Sequence, residues 1–424
     1  MIKNAFILNF FKLYNMLWSL ALPWLKKNSR LACGFSKRTG IAPLSRADIW
    51  IQAASAGESY LAVKIINTLR PGRPIKVLVT TMTDQGRDIL TAHLGRDAHD
   101  PHIDLAIDWL PFDKPAIMAG AVANVRPRIM VLLETEIWPA LIWHLKQSGC
   151  RVAILNARMS RKSFFWYKHT RFLWQHLAPD LVCAVSGNDA GRYRALFKDC
   201  RTEEMKNIKF ETMMLPNTSS DGSSLAGMFT GTLPLTIMAS VRKQEETEVM
   251  QIIKTLRRRF PRQIIAVFPR HMYRINAWKK HLGHGNGGCR LRSELTRPVT
   301  SPCVILWDLF GELKSACALA SAAFVGGSLK PLGGQNFLEP AILGTPTVIG
   351  PYYDDFAWVG NAVFEKGIVS LGTDRQAVAQ FILDALRTKG SRTRRAGEAE
   401  AYITAGRGGT QTACRRILEL LNHR

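Results

Sequence analysis

The chain of 424 residues is long enough for two domains, and 47% hydrophobic with 21% charged residues is an ordinary globular balance. This balance excludes a wholly disordered chain and a polytopic membrane protein. The formal net charge of +24 predicts an anionic partner, with nucleic acid, a membrane surface and a phosphorylated small molecule all admissible. The eight cysteines form no C-x-x-C pair, which indicates reduced thiols in a cytoplasmic protein and no zinc site.

The amino-terminal segment is unlike a soluble domain. Residues Ala5 to Leu25 carry one charge, Lys12, and their polar side chains recur along one narrow helical stripe before Pro23. A basic cluster follows, as it would beside an anionic membrane leaflet. Its members are Lys26, Lys27, Arg30, Lys37 and Arg38. We expect a membrane-anchoring helix over residues 1–30 that spans the bilayer or lies on it, and a buried amphipathic helix is the alternative.

The chain from residue 31 to residue 212 alternates short apolar runs with helical patterns. This alternation predicts a parallel sheet wrapped by helices. The predicted strands are Ile49 to Ala54, Val77 to Thr81, Ile103 to Leu110, Ile129 to Glu134, Val152 to Asn156 and Leu181 to Ser186. The predicted helices include Ser59 to Leu69 and Pro139 to Gln147.

A stretch rich in Ser, Gly, Thr and Pro, residues 213–234, interrupts the alternation and is the predicted linker. A second series of strands follows it over Leu235 to Ser240, Ile264 to Pro269, Val304 to Trp307, Ala322 to Gly326, Thr347 to Ile349 and Ile368 to Leu371. We therefore expect two Rossmann-like, doubly wound α/β domains, 31–212 and 235–424, facing each other across a cleft. The last helix, predicted from Gln411 to Leu421, can cross back to the first domain.

Candidate functional residues lie where strands give way to helices, because such folds bind ligands at the carboxyl ends of their strands. At the first junction Gly57 is predicted to make a tight turn and Glu58 to enter the first helical turn. The helix dipole there favours an ionised carboxylate, the state that a general base needs, although a helix-start acid without chemistry is the alternative. At the second junction Glu134 and Glu136 follow an apolar strand, and they could equally cap a helix ahead of Pro139.

The third junction, Val325 to Pro340, holds two glycine pairs ahead of a predicted helix. The amides of that helix could bind a phosphate, and Glu339 could accept hydrogen bonds from ribose hydroxyls. The segment is neither a P-loop nor a G-x-G-x-x-G motif, so its glycines alone are weak evidence.

Together with four further motifs, the three junctions resemble one family, the 3-deoxy-D-manno-octulosonic acid (Kdo) transferases of lipopolysaccharide assembly. The motifs, with the family's pattern in brackets, are Ser55 to Glu58 (S-V-G-E), Glu134 to Pro139 (E-T-E-x-W-P), Asn156 to Ser160 (N-A-R-x-S), Ile208 to Glu211 (x-K-F-[DE]), Pro269 to His271 (P-R-H), Gly311 to Leu313 (G-E-L) and Gly326 to Pro340 (G-G-S…G-G-H-N-x-L-E-P). They follow the family's order and extend over nearly the whole chain.

The resemblance implies a GT-B fold and a metal-independent, inverting transfer of Kdo from CMP-Kdo to lipid IVA, without a cofactor. It implies that Glu58 accepts the proton of the acceptor hydroxyl, and that Glu134 and Lys209 stabilise the transition state. The residues it implies for CMP binding are Pro269, Arg270, Phe310, Gly311, Glu312, Asn336, Phe337, Leu338 and Glu339. It also implies work on the cytoplasmic side of the inner membrane, in contact with anionic lipids.

Several positions in the donor half depart from the family's pattern. Gln335 replaces the usual His, Phe337 the usual Pro, Met272 the Pro after P-R-H, and Ser240 to Lys243 the usual S-T-[HR]-E. Two alternatives therefore stay open: a paralogous GT-B transferase that uses another acidic CMP-sugar, and a non-catalytic membrane scaffold of the same fold. The scaffold would predict lost acids, whereas both Glu58 and Glu134 are present.

A nucleic-acid-binding protein would also explain the basic charge. The sequence has no RNA-recognition aromatics, no zinc-finger spacing and no basic stripe with interleaved aromatics, so we expect no nucleic-acid partner. The ten histidines show no metal-ligand spacing, and we expect no metal site.

Overall fold

In a computed structural model the chain divides into two compact units, Met1–Met213 with Gly406–Arg424, and Met214–Ala405. The structure describes residues 2–27, 31–95, 99–213, 223–229, 233–283, 289–388 and 390–422. Residues 214–222 and 230–232 of the predicted linker lie outside the described residues, as does Arg30 of the predicted basic cluster.

The first unit contains a parallel sheet of seven strands connected by helices. The strands are β1 (Ile49–Ala53), β2 (Ile75–Thr81), β3 (Ile103–Trp109), β4 (Ile129–Leu133), β5 (Arg151–Ala157), β6 (Leu181–Ala184) and β7 (Arg201–Glu204). The helices are α1 (Ile2–Leu25), α2 (Phe35–Arg38), α3 (Ala56–Thr68), α4 (Asp84–His93), α5 (Pro115–Val125), α6 (Pro139–Gln147), α7 (Arg161–His169), α8 (Arg171–Trp174), α9 (Gly187–Leu196) and α10 (Lys209–Thr212). The strand order β3-β2-β1-β4-β5-β6-β7 reverses direction between β1 and β4.

The second unit repeats this plan. Its strands are β8 (Leu235–Val241), β9 (Ile264–Pro269), β10 (Cys289–Leu291), β11 (Cys303–Leu306), β12 (Ala322–Val325), β13 (Thr347–Ile349) and β14 (Ser370–Leu371). Its helices are α11 (Ser223–Ala226), α12 (Glu246–Arg259), α13 (Ile275–Leu282), α14 (Leu313–Leu319), α15 (Leu338–Ile342), α16 (Ala362–Glu365), α17 (Arg375–Arg387) and α18 (Arg392–Gly406). The order β10-β11-β9-β8-β12-β13-β14 reverses between β8 and β12, and the final helix, α19 (Gly409–Asn422), belongs to the first unit.

The prediction of two parallel α/β sheets is confirmed. The central strands β1 and β4 are buried at every position, as expected when helices cover both faces of a parallel sheet. Two strands were not predicted, β7 and β10, and both are edge strands. The sequence of β7 is polar throughout and β10 has three residues, so neither carries the apolar run that identifies a buried strand.

Helix α1 packs on the first unit by one face and leaves the opposite face exposed. Ile7 and Phe11 are buried in the unit's core, and the Phe11 ring lies 5.1 Å from that of Trp143. Within the described part of the chain, the structure contains no helix with the length and apolar character needed to cross a bilayer.

A buried carboxylate fixes α1 to the rest of the unit. The Tyr14 hydroxyl donates to Oδ2 of Asp113 at 3.0 Å. Asp113 is 1% exposed and also accepts hydrogen bonds from the backbone N–H groups of Ala140 and Leu141, in the first turn of α6. Burial raises the pKa of Asp113 to about 7. One side chain therefore connects α1 with the amino terminus of α6.

We predict that Tyr14→Phe lowers the free energy of unfolding by about 1 kcal/mol, because the ring stays while the hydrogen bond to Asp113 is lost. Thermal and urea unfolding of the variant and the parent would measure the difference. Tyr60→Phe is the control, because Tyr60 is 44% exposed in the same unit. An unfolding midpoint equal to that of the parent would show that this bond does not hold α1.

Candidate active site

Two predicted catalytic residues lie at neighbouring strand ends of the first sheet. Strands β1 and β4 pair in parallel, with Gln52 opposite Leu132, and the strand order reverses at this pair. Glu58 lies in the first turn of α3, directly after β1, and Glu134 directly follows β4. Ligands of doubly wound sheets bind at such reversals, so the topology brings both carboxylates to the expected position.

The local fold of Glu58 is set by reciprocal capping of α3. The Ser55 side chain accepts a hydrogen bond from the Glu58 N–H at 3.3 Å, and the Glu58 carboxylate accepts one from the Ser55 N–H at 3.1 Å. The predicted role of Gly57 is wrong. Gly57 lies inside the first turn of α3, its φ is not positive, and a Cβ there would meet nothing closer than 3.8 Å. Ser55, rather than the glycine, starts the helix.

Burial and charge make Glu58 a weaker acid than usual. Glu58 is only 8% exposed. Burial raises the pKa of its carboxyl group to about 7, and the charges of Glu136 and Glu134 contribute to this shift. A carboxyl group with this pKa changes its protonation state near neutral pH, so it can accept a proton there and return it.

Glu134 is held in an unusual backbone conformation by contacts on both sides. Its φ of 56° lies in the left-handed region, which is rare for a residue with a side chain. Its Oε1 lies 2.5 Å from Nζ of Lys209, and its Oε2 lies 3.8 Å from Nη1 of Arg158. The Tyr193 hydroxyl donates to the Glu134 carbonyl at 3.2 Å. Strain of this kind persists where the surroundings fix the residue, as at many functional sites.

Asn156 links this carboxylate to the segment that carries Lys209, and no role was predicted for it. Its Nδ2 donates to Oε1 of Glu134 at 3.4 Å, and its Oδ1 accepts from the Ile208 N–H at 2.9 Å. Asn156 is also left-handed, with φ 54°. Asparagine adopts this conformation more readily than most residues. The position of Asn156 near the end of a strand was the sequence feature that could have marked it as a functional residue.

Glu136 completes a group of three carboxylates. Its Oε2 accepts a hydrogen bond from the indole Nε1 of Trp138 at 2.7 Å. Burial raises its pKa, and the charge of Glu134 adds to the effect. Of the two neighbouring carboxylates, Glu136 raises the pKa of Glu58 more than Glu134 does.

In the second unit, five of the predicted CMP-binding residues lie at or after the ends of strands β9 and β11. Pro269 ends β9, and Arg270 is exposed after it, with its N–H bonded to the Val241 carbonyl at 2.8 Å. The Phe310 ring is 82% exposed, and Gly311 beside it is left-handed with φ 85°. These residues lie at the carboxyl edge of the second sheet.

The predicted residue Glu312 is already hydrogen-bonded within the unit. Its Oε1 accepts from Nη2 of Arg292 at 3.0 Å, and its Oε2 accepts from the indole Nε1 of Trp307 at 2.9 Å. These two donors orient the carboxylate and leave it lone pairs for a further donor.

The remaining predicted residues, Asn336 to Glu339, differ in exposure. Asn336 is exposed, whereas Phe337 and Leu338 are 0% exposed. The side chains of Phe337 and Leu338 lie in the core, so they could contact a ligand only through the backbone. Glu339 lies in the first turn of the five-residue helix α15, and burial raises its pKa. Among the described residues, no group of three or more His, Cys, Asp or Glu side chains is arranged to hold a metal ion.

Comparison with known proteins finds a matching family model and relatives that cover most of the chain. The family model described as "3-Deoxy-D-manno-octulosonic-acid transferase (kdotransferase)" matches residues 33–212, which contain Glu58, Glu134 and Lys209. A 3-deoxy-D-manno-octulosonic acid transferase of Bordetella pertussis is 29% identical over 90% of this chain and 88% of its own. One of Haemophilus influenzae is 27% identical over 88% of this chain and 86% of its own. Over most of its length the chain is therefore similar to Kdo transferases.

Kdo transferases are glycosyltransferases, and the fold agrees with this class. A glycosyltransferase of Rickettsia africae has a solved structure that matches 90% of this chain and 100% of its own, with a TM-score of 0.58 and 10% identity. At this identity the likeness concerns the fold alone, a pair of parallel α/β sheets like that of GT-B enzymes.

We predict that Glu136→Gln lowers the pKa of Glu58, because it removes a negative charge that opposes ionisation of its neighbour. Carbon NMR of protein labelled at the glutamate carboxyl groups would follow the titration, with Glu58→Gln to assign the signal. Glu204→Gln, at an exposed position on β7, is the matched control and leaves the titration unchanged. A Glu58 midpoint that stays near pH 7 in Glu136→Gln would contradict the electrostatic coupling described above.

Proposed function

We propose that this protein transfers Kdo from CMP-Kdo to lipid IVA by a metal-independent, inverting reaction. The observation that carries the proposal is the buried Glu58 carboxylate beside the ion pair of Glu134 and Lys209 at the reversal point of the first sheet. The relatives named 3-deoxy-D-manno-octulosonic acid transferases support the choice of sugar.

In the proposed reaction Glu58 is the general base. The acceptor hydroxyl oxygen forms a bond to the anomeric carbon of Kdo, the bond between that carbon and the phosphate oxygen breaks, and CMP leaves with the electron pair. The hydroxyl proton passes to the Glu58 carboxylate. A pKa of about 7 supports this role, because a base acts most efficiently when its pKa lies near the working pH.

Glu134 and Lys209 are assigned to stabilisation of the transition state. Both groups are largely buried, with 12% and 20% of their side chains exposed, so their charges are weakly screened. Asn156 and Arg158 hold the Glu134 carboxylate, and such preorganised charges need little rearrangement during reaction.

For the donor we propose that the second unit binds CMP. The exposed Arg270 guanidinium suits the phosphate, and the exposed Phe310 ring can stack on the cytosine. Glu339 would accept hydrogen bonds from the ribose, and Asn336, Gly311, Glu312 and Pro269 complete the site together with the backbone of Phe337 and Leu338.

The departures from the family's pattern have structural explanations at two positions. The Phe337 ring packs against the rings of Phe356 and Phe364, at 5.5 and 5.9 Å, and therefore fills the core. The Gln335 side chain donates to the Gly334 carbonyl at 2.7 Å, within its own loop. Both side chains are thus engaged within the second unit, and another acidic CMP-sugar is the alternative substrate.

We predict that Glu58→Gln lowers turnover by on the order of 10²–10⁴-fold while CMP-Kdo binding persists, because the amide cannot take the proton. The assay combines purified protein, CMP-Kdo and lipid IVA, and mass spectrometry measures Kdo addition to the lipid. Glu204→Gln is the control.

Other outcomes of this assay would support the alternative functions. A parent protein that modifies the lipid only with a different acidic CMP-sugar would be the paralogous transferase. A parent protein that is inactive with every donor would be the non-catalytic scaffold. Turnover of Glu58→Gln above about a tenth of the parental value would remove Glu58 from the role of base.

We also infer that the protein acts on the cytoplasmic face of the inner membrane. The supporting feature is an apolar surface that combines the exposed face of α1 with exposed aromatic residues of α7 and α8. Its members are Phe6, Leu13, Leu17, Leu20, Trp24, Phe165, Trp166 and Phe172. The rings of Phe6 and Phe172 meet edge to face at 5.0 Å, so the two parts are continuous. Patches of this kind on a protein surface mark contacts with proteins or membranes.

Charge supports a lipid partner for the apolar surface. The sequence has no acidic residue before Asp48 and none from Arg158 to Pro179. Basic residues within these stretches include Lys12, Lys26, Lys27, Arg161, Lys162, Lys168 and Arg171. Because the inner face of α1 is packed on the unit, the helix would lie flat on an anionic bilayer and insert its outer side chains.

We predict that the parent protein floats with vesicles of phosphatidylcholine and phosphatidylglycerol, and that Leu17→Glu/Leu20→Glu floats at least about tenfold less, since two charges would enter the apolar interface. Leu371→Glu, which adds a charge at an exposed apolar residue of the second unit, is the control and floats like the parent. Equal flotation of the double variant and the parent would exclude the apolar surface as the membrane contact.

A further inference from the structure

The glycine-rich loop of the second unit, residues 326–335, is fixed by a carboxylate that comes from another strand end. Glu245 lies after β8, at the point where the second sheet reverses toward β12, and it is 0% exposed. Its Oε1 accepts hydrogen bonds from the N–H groups of Arg242, at 2.9 Å, and Gly327. Its Oε2 accepts from those of Ser328 and Leu329, at 3.2 Å each.

These contacts decide what the loop can bind. Three successive backbone N–H groups form a concave site of the kind that binds anions such as phosphate. Here the protein's own carboxylate fills that site, so a donor phosphate has to find its hydrogen bonds elsewhere. Gly326 is required for this arrangement, because a Cβ there would lie 2.5 Å from Oε1 of Glu245 and 2.9 Å from the Ser240 carbonyl.

The segment around Glu245 also holds the middle of the loop. Nη1 of Arg242 donates to the Leu332 carbonyl at 3.1 Å, and Nζ of Lys330 lies 2.6 Å from Oε1 of Glu248. The Gly334 N–H donates to the Gly327 carbonyl at 2.8 Å and closes the loop on itself. Hydrogen bonds and an ion pair therefore hold the loop at its start, in its middle and at the point where it closes on itself. The proposed CMP-binding segment begins directly after this loop, at Asn336.

We propose that Glu245 is a positioning residue for the donor: it does not touch CMP-Kdo, but it holds the glycine-rich loop so that residues 336–339 keep the geometry that binds CMP. This inference rests on the proposed function. It also excludes the amides of residues 327–329 as donors to the phosphate of CMP-Kdo, and leaves the exposed Arg270 guanidinium as the candidate for that contact.

The test is Glu245→Gln, which keeps the size of the side chain but replaces one carboxylate oxygen, a hydrogen-bond acceptor, with an NH₂ group, a donor. This NH₂ group would face the backbone N–H groups that now donate to the carboxylate, so those hydrogen bonds would be lost. We expect the Kd for CMP and the KM for CMP-Kdo to rise at least about tenfold, as for the loss of one charged hydrogen bond, with a smaller change in kcat. A role confined to stability would lower the unfolding temperature and the folded fraction but leave Kd and KM of the folded protein unchanged.

The measurements are isothermal titration of CMP into the full-length protein in detergent, and initial rates at varied CMP-Kdo. Arg242→Met is a second variant that removes the bond to the Leu332 carbonyl without removing a buried charge, and it should weaken CMP binding in the same direction by several-fold. Glu400→Gln, exposed on α18 of the same unit, is the matched control.

The outcomes separate this inference from the proposed function. A parent protein that binds no CMP overturns the donor assignment, and the role of Glu245 with it. A parent that binds CMP while Glu245→Gln binds equally well overturns the inference alone. If Glu245→Gln does not fold, unchanged CMP binding by Arg242→Met overturns it instead.

Discussion

The first strand of each sheet is followed by the same local interaction: a glutamate side chain accepts a hydrogen bond from the backbone N–H three residues before it. In the first sheet Glu58 caps through Ser55, and in the second Glu245 caps through Arg242. The sheet reverses direction at each of these strand ends. A helix start at this point has unpaired N–H groups, which is why a side-chain oxygen that accepts hydrogen bonds is favoured there.

The two glutamates differ in how far their oxygens are satisfied. Glu245 accepts four backbone hydrogen bonds and thereby serves the structure of its loop. Burial raises the pKa of Glu58 to about 7, and the charges of Glu136 and Glu134 add to the effect. Burial raises the pKa of both glutamates, but the same position in the fold is surrounded by backbone N–H donors in one sheet and by further carboxylates in the other.

The sequence predicted the structure best where the deciding residues are close together in the chain. Apolar runs identified the buried strands, and strand ends identified Glu58 and Glu134. The partners of these residues are distant in the chain: no spacing pattern predicts that Asn156 binds Glu134 and the Ile208 amide, or that Glu245 fills the glycine-rich loop. Gly57 was misjudged because glycine is common in turns, whereas here the helix begins at Ser55. In α1 the apolar residues surround the helix, so the sequence could not tell Ile7 and Phe11, which pack inward, from Leu17 and Leu20, which do not.

The packing of α1 has a practical consequence for anyone who wants to crystallise this protein without detergent. Truncation of an apolar amino terminus is the usual way to a soluble form, but here it would uncover Trp143, leave Asp113 buried without its tyrosine donor and open the core that Ile7 and Phe11 fill. The truncated protein would lose the exposed apolar face of α1 but would expose part of its own core to solvent. Replacement of the outward side chains alone, with the helix kept in place, avoids that exposure. The residues that affect solubility lie on the outer face of α1, whereas those that stabilise the fold lie on its inner face.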